Sequence, residues 1–297
     1  MLSNKTSVTI MTPIGSNLSY YNKYMDHYWS SLYKAVVEST EECDITICLR
    51  IFGEGDLNIS KVMDDASSTN IYEFAKLDIK LLEGKGPARG TLLKEAVKLD
   101  TDYYVYLDFD DSIGRYYFQD FANKSHEGFE QIIPVPVREY DKLILPKSYL
   151  DWRPLPKDTF DTFFTSERYG HMIWGRFYSR SLIKRVIDQI DETYDRLGWG
   201  EEYKLLNLLY FNTQDLSKIG YCNSLYKWNY GDGTSLSKNI ELNDALENIR
   251  ESITVIPDAL KYCVQEMYEV LLFRCFKNPS DLTKYQIPKQ LELDFGA

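Results

Sequence analysis

The stretch YYVYLDFDDSIG, residues 103–114, joins a strand-forming run directly to three aspartates. Aromatic and β-branched residues favour a buried strand, and Asp108, Asp110 and Asp111 follow it at once. Carboxylates this close repel one another unless a positive charge lies between them. The D-x-D pattern is weak by itself, because an acidic loop that caps the next helix has the same composition. A carboxylate pair at a strand end is also a suitable holder for Mg²⁺ or Mn²⁺, with coordination positions left for phosphate oxygens.

Predicted strands and helices alternate from the N-terminus to this Asp cluster. The predicted strands are SVTIMTPIG (7–15), CDITICLRIFGEGD (43–56) and DIKLLEG (78–84). The predicted helices are MDHYWSSLYKAVVEST (25–40), KVMDDASSTNIYEFAKL (61–77) and ARGTLLKEAVKL (88–99). This alternation is typical of βαβ units on a mostly parallel sheet. Ligands of such sheets bind beyond the carboxyl ends of the strands, where the Asp cluster falls.

The pattern changes after residue 111. A further strand is predicted at EQIIPVPVREY (130–140), a Pro-rich irregular segment at 142–158, and an aromatic strand at 225–230. Helices are predicted over 179–197 and 201–212. From about residue 240 the spacing is helical, with one apolar face formed by Leu260, Val264, Met267 and Leu271. We therefore predict a catalytic domain over residues 1–238 and a C-terminal helical extension over residues 239–297.

Composition narrows the class of protein. The chain has 297 residues and a formal charge of −11, which disfavours binding to a nucleic-acid backbone. It contains no apolar run long enough to span a bilayer, and its start lacks the layout of a secretory signal. The five cysteines are scattered without C-x-x-C spacing, so neither a disulfide framework nor a zinc site is expected. We expect a cytoplasmic protein with reduced thiols.

Four segments, in this order along the chain, carry a resemblance to a known family. SVTIMTPIG resembles an opening strand with a Pro-containing loop, and residues 83–111 resemble a Gly-x-x-Ala-Arg-Asn helix that leads to an Asp-x-Asp-Asp strand end. MIWGRFYSRSLIKRV (172–186) resembles a central Trp-containing segment, and GWGEEYKLLNLLY (198–210) resembles a Gly-x-Gly-Glu-Asp helix start. Together they resemble the large inverting family 2 of nucleotide-sugar glycosyltransferases.

The resemblance implies a GT-A (Rossmann-like) α/β fold whose mostly parallel central sheet is flanked by helices. It implies a nucleoside-diphosphate sugar as donor, a glycan, glycolipid or protein as acceptor, Mn²⁺ or Mg²⁺ as cofactor, and a role such as polysaccharide biosynthesis. Asp108 would contact the ribose or the metal, Asp110 would ligate the metal, and Arg89 would lie near the nucleotide. Pro13 falls in the donor-side loop, and Trp174 is a candidate stacking platform for a sugar.

Three positions depart from the family pattern. YKWNYGDGTSLS (226–237) lacks the His or Arg often found there, which leaves Lys227, Asn229 and Ser235 as candidate phosphate-side contacts. The second strand ends in LRIFGEGD instead of an Asp-rich turn, which leaves Arg50 or Asp56 as the candidate contact to the base. Gly90 stands after Arg89, where Asn is usual. The identity of the base therefore stays open.

The GWGEEY segment provides the candidate general base. Inverting transfer needs a base near the acceptor hydroxyl, and Glu201 and Glu202 stand at a predicted helix start. Without the resemblance, these carboxylates would be expected only to satisfy backbone amides and the helix dipole. With it, Glu202 takes the place of the family's catalytic Asp, and Glu201 matches the preceding Glu.

Two other functions compete with this interpretation. A sugar-nucleotide pyrophosphorylase also uses an Asp-bound metal, but its Gly-rich, Arg-containing loop is missing from TPIGSN (12–17). A non-catalytic carbohydrate-binding module of the same fold would explain the atypical nucleotide-binding turn. Peripheral membrane contact of the C-terminal extension is a weaker alternative, because Lys261, Arg274 and Lys277 make only a sparse basic face.

Overall fold

A central sheet organises the described part of the chain. The structure is a computed structural model, and it describes residues 5–82, 88–138, 173–195, 201–213 and 216–228, with 247–248, 250–252 and 254–255. Its strands are β1 (Thr6–Gly15), β2 (Cys43–Phe52), β3 (Ala75–Leu82), β4 (Tyr103–Tyr106), β5 (Ser112–Ile113), β6 (Gln131–Arg138), β7 (Phe177–Ser179) and β8 (Ile219–Trp228). They lie side by side in the order β3-β2-β1-β4-β7-β6-β8-β5.

Helices connect these strands and cover the sheet. They are α1 (Leu18–Glu38), α2 (Ile59–Ser68), α3 (Arg89–Ala96), α4 (Tyr117–Ser125), α5 (Arg180–Val186) and α6 (Glu201–Phe211). Short 3₁₀ turns occupy Ile71–Glu73, Val97–Leu99, Ile187–Gln189, Glu192–Asp195 and Leu216–Lys218.

The strand directions confirm an α/β protein with a mostly parallel sheet. β1 runs parallel to β2 and β4, and β2 runs parallel to β3. β6 and β8 are parallel to each other, whereas β7 is antiparallel to β4 and β6, and β5 is antiparallel to β8. The carboxyl ends of β1, β2 and β4 therefore meet at one edge, as a ligand site in this class of sheet requires.

A buried aromatic side chain anchors the loop after β4. The ring of Phe109 lies 4.9 Å from that of Tyr21, nearly parallel to it, and 4.7 Å from that of Tyr28. Phe109 is buried in this α1 contact, while Asp108 and Asp110 on either side of it remain partly exposed. Apolar burial of the middle residue thus presents the two flanking carboxylates at the sheet edge.

Helix α1 begins seven residues before the predicted start at residue 25. The side chain of Asn17 caps it by accepting a hydrogen bond of 2.8 Å from the Tyr20 amide. An Asn N-cap satisfies one of the free amides of the first turn, which explains where the helix starts. Pro13 lies within β1, which continues to Gly15.

The predicted helix over 179–197 was too long. α5 ends at Val186, and the backbone of Ile190 is extended. Asp191 then accepts hydrogen bonds from both the amide and the hydroxyl of Thr193, at 2.9 and 2.5 Å. Such local side-chain bonds compete with helical ones and end the regular structure.

Other boundaries moved as well. The helix predicted over 61–77 ends at Ser68, and β3 begins at Ala75. Strands β5 and β7 and helix α4 were not predicted from the sequence. The irregular segment 142–158 and the apolar face at Leu260–Leu271 lie outside the described residues, so the division at residue 238 stays a prediction. Among the helices of the described part, none is long and apolar enough to cross a membrane.

Gly175 should be among the least replaceable glycines of the fold. Its φ is +71°, and a Cβ would lie 2.4 Å from Cδ2 of Tyr226. We expect Gly175→Ala to lower the free energy of unfolding by roughly 2–5 kcal/mol, from left-handed strain and overpacking together. Gly128→Ala is the control, because its φ is +76° but no atom lies within 4 Å of the added Cβ. Urea unfolding should show a loss of only about 1–2 kcal/mol there, and equal losses would contradict the steric account.

Candidate active site

The Asp cluster lies in a tight turn at the carboxyl end of β4. The amide of Leu107 still donates to the carbonyl of Met11 in β1, at 3.0 Å. The amide of Asp111 then donates back to the carbonyl of Asp108 at 3.1 Å, which closes the turn. Asp111 is buried, whereas Asp108 and Asp110 are partly exposed.

Arg89 forms a two-pronged ion pair with Asp108. Its Nη1 and Nη2 lie 2.8 and 2.9 Å from the two carboxylate oxygens, and the side chains are only 11% and 21% exposed. Arg89 is the first residue of α3, and its carbonyl accepts a bond of 2.9 Å from the Tyr106 hydroxyl. The ring of Tyr106 also lies 5.7 Å from the guanidinium. A planar guanidinium suits a carboxylate in this way, and the structure brings these two predicted site residues together.

Asp110 is the carboxylate with the most perturbed environment in this turn. Burial, followed by the charge of Asp108, raises the pKa of Asp110 to about 6. The hydroxyl of Tyr20 donates a hydrogen bond to Asp110, which partly offsets that rise. Tyr20 stands in the first turn of α1, and sequence analysis did not single it out. The Asn17 cap was the signal that would have placed it at the sheet edge.

Asp111 ties the turn to β8, which lies three strands from β4 in the sheet order. It accepts a hydrogen bond of 2.6 Å from the hydroxyl of Tyr226 in β8, and the amide of Asp108 approaches the same hydroxyl at 3.4 Å. The ring of Trp174 stacks on Tyr226 with centroids 5.1 Å apart. Trp174 is only 8% exposed, so most of its surface packs inside the protein beneath the cluster. Its proposed contact with a sugar stays a prediction.

Glu202 lies in the first turn of α6 and is partly buried. Burial raises the pKa of its carboxyl, the guanidinium of Arg89 lowers it, and the charge of Asp108 raises it again. The charges of the Arg89–Asp108 pair thus act on the Glu202 carboxyl. Glu201 is the first residue of α6, and its side chain lies outside the described part of the chain.

Arg50 does not join this cluster. Its side chain is fully buried, and its Nη2 and Nη1 bond to the carboxylate and the carbonyl of Asp78, at 2.5 and 2.6 Å. Pro13 is its neighbour in register on β1 and is partly exposed. Asp56, the other candidate for the base, accepts a bond of 2.8 Å from the Leu18 amide at the start of α1. The structure thus gives both candidates intramolecular partners, and a contact with a base stays a prediction.

The carboxylates fit a divalent cation that keeps most of its coordination sphere for other ligands. In the described residues, no group of three or more His, Cys, Asp or Glu side chains comes together to enclose a metal. Mg²⁺ commonly binds one or two carboxylates and completes its shell with water and phosphate oxygens. Asp110 is the better candidate ligand, because Asp108 already shares its oxygens with Arg89. A cation would also relieve the repulsion that raises the pKa of Asp110.

Comparison of the whole structure with solved ones identifies the fold. No family model and no curated protein sequence matches the chain. The structure is similar to that of S. aureus TarS 1–349, with a TM-score of 0.55 and 14% identity over 86% of this chain and 82% of that one. A longer S. aureus TarS structure gives a TM-score of 0.54 at 14% identity over 89% of this chain, and the chain spans about half of that structure's length (53%). This likeness confirms the GT-A glycosyltransferase fold.

Asp110→Asn should stabilise the protein at neutral pH. The pKa of Asp110 is about 6 in the fold and about 3.9 in an unfolded chain, so its charged form is disfavoured by folding. Stability linked to this group is therefore lost as pH rises from about 4 to about 6. At pH 7 the variant should gain roughly 1–3 kcal/mol in free energy of unfolding, and the gain should vanish near pH 4.

Urea unfolding at pH 4, 5, 6 and 7 measures this difference, with Asp64→Asn on the exposed side of α2 as control. The control should stay within about 0.5 kcal/mol of wild type throughout. An Asp110→Asn variant that is less stable than wild type at pH 7 would contradict the assigned environment.

Proposed function

We propose that this chain is a glycosyltransferase that moves a sugar from a nucleoside-diphosphate sugar to a hydroxyl of a glycan, glycolipid or protein acceptor. The observation that supports it best is the Arg89–Asp108 ion pair beside Asp110 at the carboxyl edge of the parallel sheet, whose charges also act on Glu202. The GT-A fold adds support, because it is a fold of glycosyltransferases, but a fold alone does not define an activity.

The donor side of the proposed site consists of Asp108, Arg89 and Asp110. Asp110, with help from Asp108, would hold Mn²⁺ or Mg²⁺, and the bound ion would supply neutralising charge for the departing diphosphate. Arg89 fixes the orientation of the Asp108 carboxylate through its two hydrogen bonds. Tyr20 orients Asp110 through its hydroxyl. Pro13 and Trp174 are proposed as more distant donor contacts. Arg50 is fully buried against Asp78, so a contact with the donor would require that ion pair to open.

Glu202 is the proposed general base. An inverting transfer has the acceptor oxygen attack the anomeric carbon on the face opposite to the diphosphate, while a base takes the hydroxyl proton. A carboxylate whose pKa is raised by burial is better matched to this task near neutral pH than an exposed one. Glu201 precedes it and is proposed to hold an acceptor hydroxyl or to serve as the base itself.

A cytoplasmic location is proposed from the sequence, with peripheral membrane contact of the C-terminal extension as the weaker alternative. The cysteines of the described part, Cys43, Cys48 and Cys222, are buried and form no disulfide, as suits a reducing cytoplasm. Acceptors that sit at a membrane would require peripheral contact of the chain with the lipid surface.

Donor binding tests the proposal directly. Nucleoside-diphosphate sugars are added one at a time, with Mn²⁺ or with EDTA, and the melting temperature is measured. A cognate donor at 100 times its Kd should stabilise the fold by about 2.7 kcal/mol, and EDTA should remove that gain. A sugar-nucleotide pyrophosphorylase would instead release inorganic diphosphate from a nucleoside triphosphate and a sugar phosphate. Stabilisation by free glycans, with none by any nucleotide, would favour the non-catalytic carbohydrate-binding module.

Glu202→Gln should abolish most turnover without weakening donor binding. The amide keeps the size of the side chain but cannot accept the proton of the acceptor, so kcat should fall about 10²–10⁴-fold. Because the pKa of Glu202 is raised, wild-type turnover should fall as pH drops through that pKa, and this acid limb should disappear in the variant. Release of nucleoside diphosphate across pH 5–8 measures both effects.

Two companion variants make the assignment specific. Glu202→Asp restores a carboxylate one methylene shorter and should recover part of the activity. Glu201→Gln should lower kcat less than Glu202→Gln does. A nearly normal Glu202→Gln beside an inactive Glu201→Gln would transfer the role of base to Glu201.

A further inference from the structure

The first turn of α3 is capped by a side chain from a distant segment. The residue before the helix is Ala88, which makes no side-chain cap. Instead Asp195 accepts a hydrogen bond of 2.7 Å from the Thr91 amide through Oδ1 and one of 2.5 Å from the Thr91 hydroxyl through Oδ2. Thr91 and Asp195 are 104 residues apart in sequence. Asp195 thus satisfies a free amide of α3 and fixes the turn that begins with Arg89.

The absence of a side chain at position 90 permits this contact. A Cβ at Gly90 would lie 2.8 Å from Cβ of Tyr194, 3.0 Å from Oδ1 of Asp195 and 3.0 Å from Cγ2 of Ile190. Any side chain there would push the segment 190–195 away from α3. The departure from Asn at this position therefore has a steric reason.

The same segment is held from the other side by α6. Lys204 donates a hydrogen bond from Nζ to the hydroxyl of Thr193. Its Nζ also lies 4.4 Å from the ring centroid of Tyr194, within the range of a cation–π contact. Lys204 is two residues after Glu202 on α6. The turn Glu192–Asp195 is thus wedged between the helix that carries Arg89 and the helix that carries Glu202.

We infer that Asp195 is a positioning residue that fixes α6, which carries the proposed base Glu202, relative to α3, which carries Arg89 of the donor-binding pair. On the α6 side, Lys204 contacts Thr193 and Tyr194, which directly precede Asp195. On the α3 side, Asp195 bonds to Thr91, two residues after Arg89, and Arg89 bonds to Asp108. Asp195 does not itself belong to the reacting groups. The inference rests on the proposed function for its effect on catalysis, while the mechanical link is a property of the fold alone.

The kinetic consequence follows from how steeply transfer depends on geometry. A displacement of about 1 Å between reacting groups costs on the order of 10²-fold in rate. Loss of the Asp195 link moves Glu202 relative to the Arg89–Asp108 pair, while the two hydrogen bonds of that pair keep Arg89 at the loop after β4. Catalysis should therefore suffer much more than donor binding.

The kinetic experiment compares two different ways of breaking the contact. Asp195→Ala removes both acceptor bonds, and Gly90→Ala wedges the surfaces apart. Both should lower kcat about 10–100-fold while the KM for the donor changes less than about threefold. Asp195→Asn should rescue turnover to within a few-fold of wild type, because its amide oxygen can still accept from the Thr91 amide and the Thr91 hydroxyl can turn to accept from the new NH₂.

Asp102→Ala is the matched control. Asp102 accepts a comparable pair of hydrogen bonds, from the amide and the hydroxyl of Ser7 at 3.0 and 2.7 Å, and it also joins distant parts of the chain. It lies just before β4, at the end of that strand opposite to the Asp cluster. Its loss should leave kcat within about threefold of wild type. If Asp102→Ala lowers kcat as much as Asp195→Ala does, any loss of such a bond pair harms turnover and the positioning role is overturned.

Hydrogen–deuterium exchange decides the mechanical link without any turnover. In both Asp195→Ala and Gly90→Ala, the peptides covering α3 and those covering α6 should exchange faster together. The altered atoms lie between α3 and the turn, so faster exchange in α6 shows that the effect passes through the turn. Faster exchange in α3 alone would overturn the coupling. If wild type turns over no nucleotide sugar, the proposed function fails, and the exchange data still confirm or reject the link between the helices.

Discussion

The Arg89–Asp108 ion pair is the interaction on which the site depends. Three aspartates in four residues would be unstable at the end of a buried strand, and the guanidinium neutralises the first of them through two hydrogen bonds. Removing one partner of such a poorly exposed pair typically costs about 3–5 kcal/mol, because the other charge is left uncompensated. The pair also acts on the pKa of both Asp110 and Glu202. Burial is the larger cause of both pKa shifts, and this one contact modifies them on the donor and the acceptor side of the proposed reaction.

Aromatic side chains hold the carboxylates in place at a cost in stability. Phe109 is buried against α1, and the Tyr226 hydroxyl donates a hydrogen bond to Asp111. Asp110 is left partly desolvated next to a like charge, so its ionised form works against folding. Sites of this kind are expected where activity needs a group that stability alone would remove. A pair of carboxylates with displaced pKa values is also a recognised sign of acid–base or metal chemistry, although ion-pair networks produce it too.

The fold and the chemistry rest on different kinds of support. A similarity of 14% identity to S. aureus TarS establishes the GT-A architecture across most of the chain. One fold can host different activities, so the reaction depends on particular side chains. The contact of Asp195 with α3 and that of Lys204 with Thr193 matter here, because together they join the helices that carry the donor-side arginine and the proposed base. The proposed transfer would require these two helices to keep one spacing.

Local sequence patterns determined the parallel sheet, the Asp cluster at its carboxyl edge and the helix that starts at Glu201. Alternating apolar periodicity and residues at strand ends carry that information within about ten positions. The partners of the side chains were decided only by packing: Arg50 turns to Asp78, Tyr226 reaches Asp111 across 115 residues, and Asp195 reaches Thr91 across 104. The end of α5 at Val186 and the glycine at position 90 are connected. Because the helix is short, the segment 190–195 packs against α3 at the place that a side chain of residue 90 would occupy. Such contacts depend on how distant elements meet, and no local pattern encodes the meeting point.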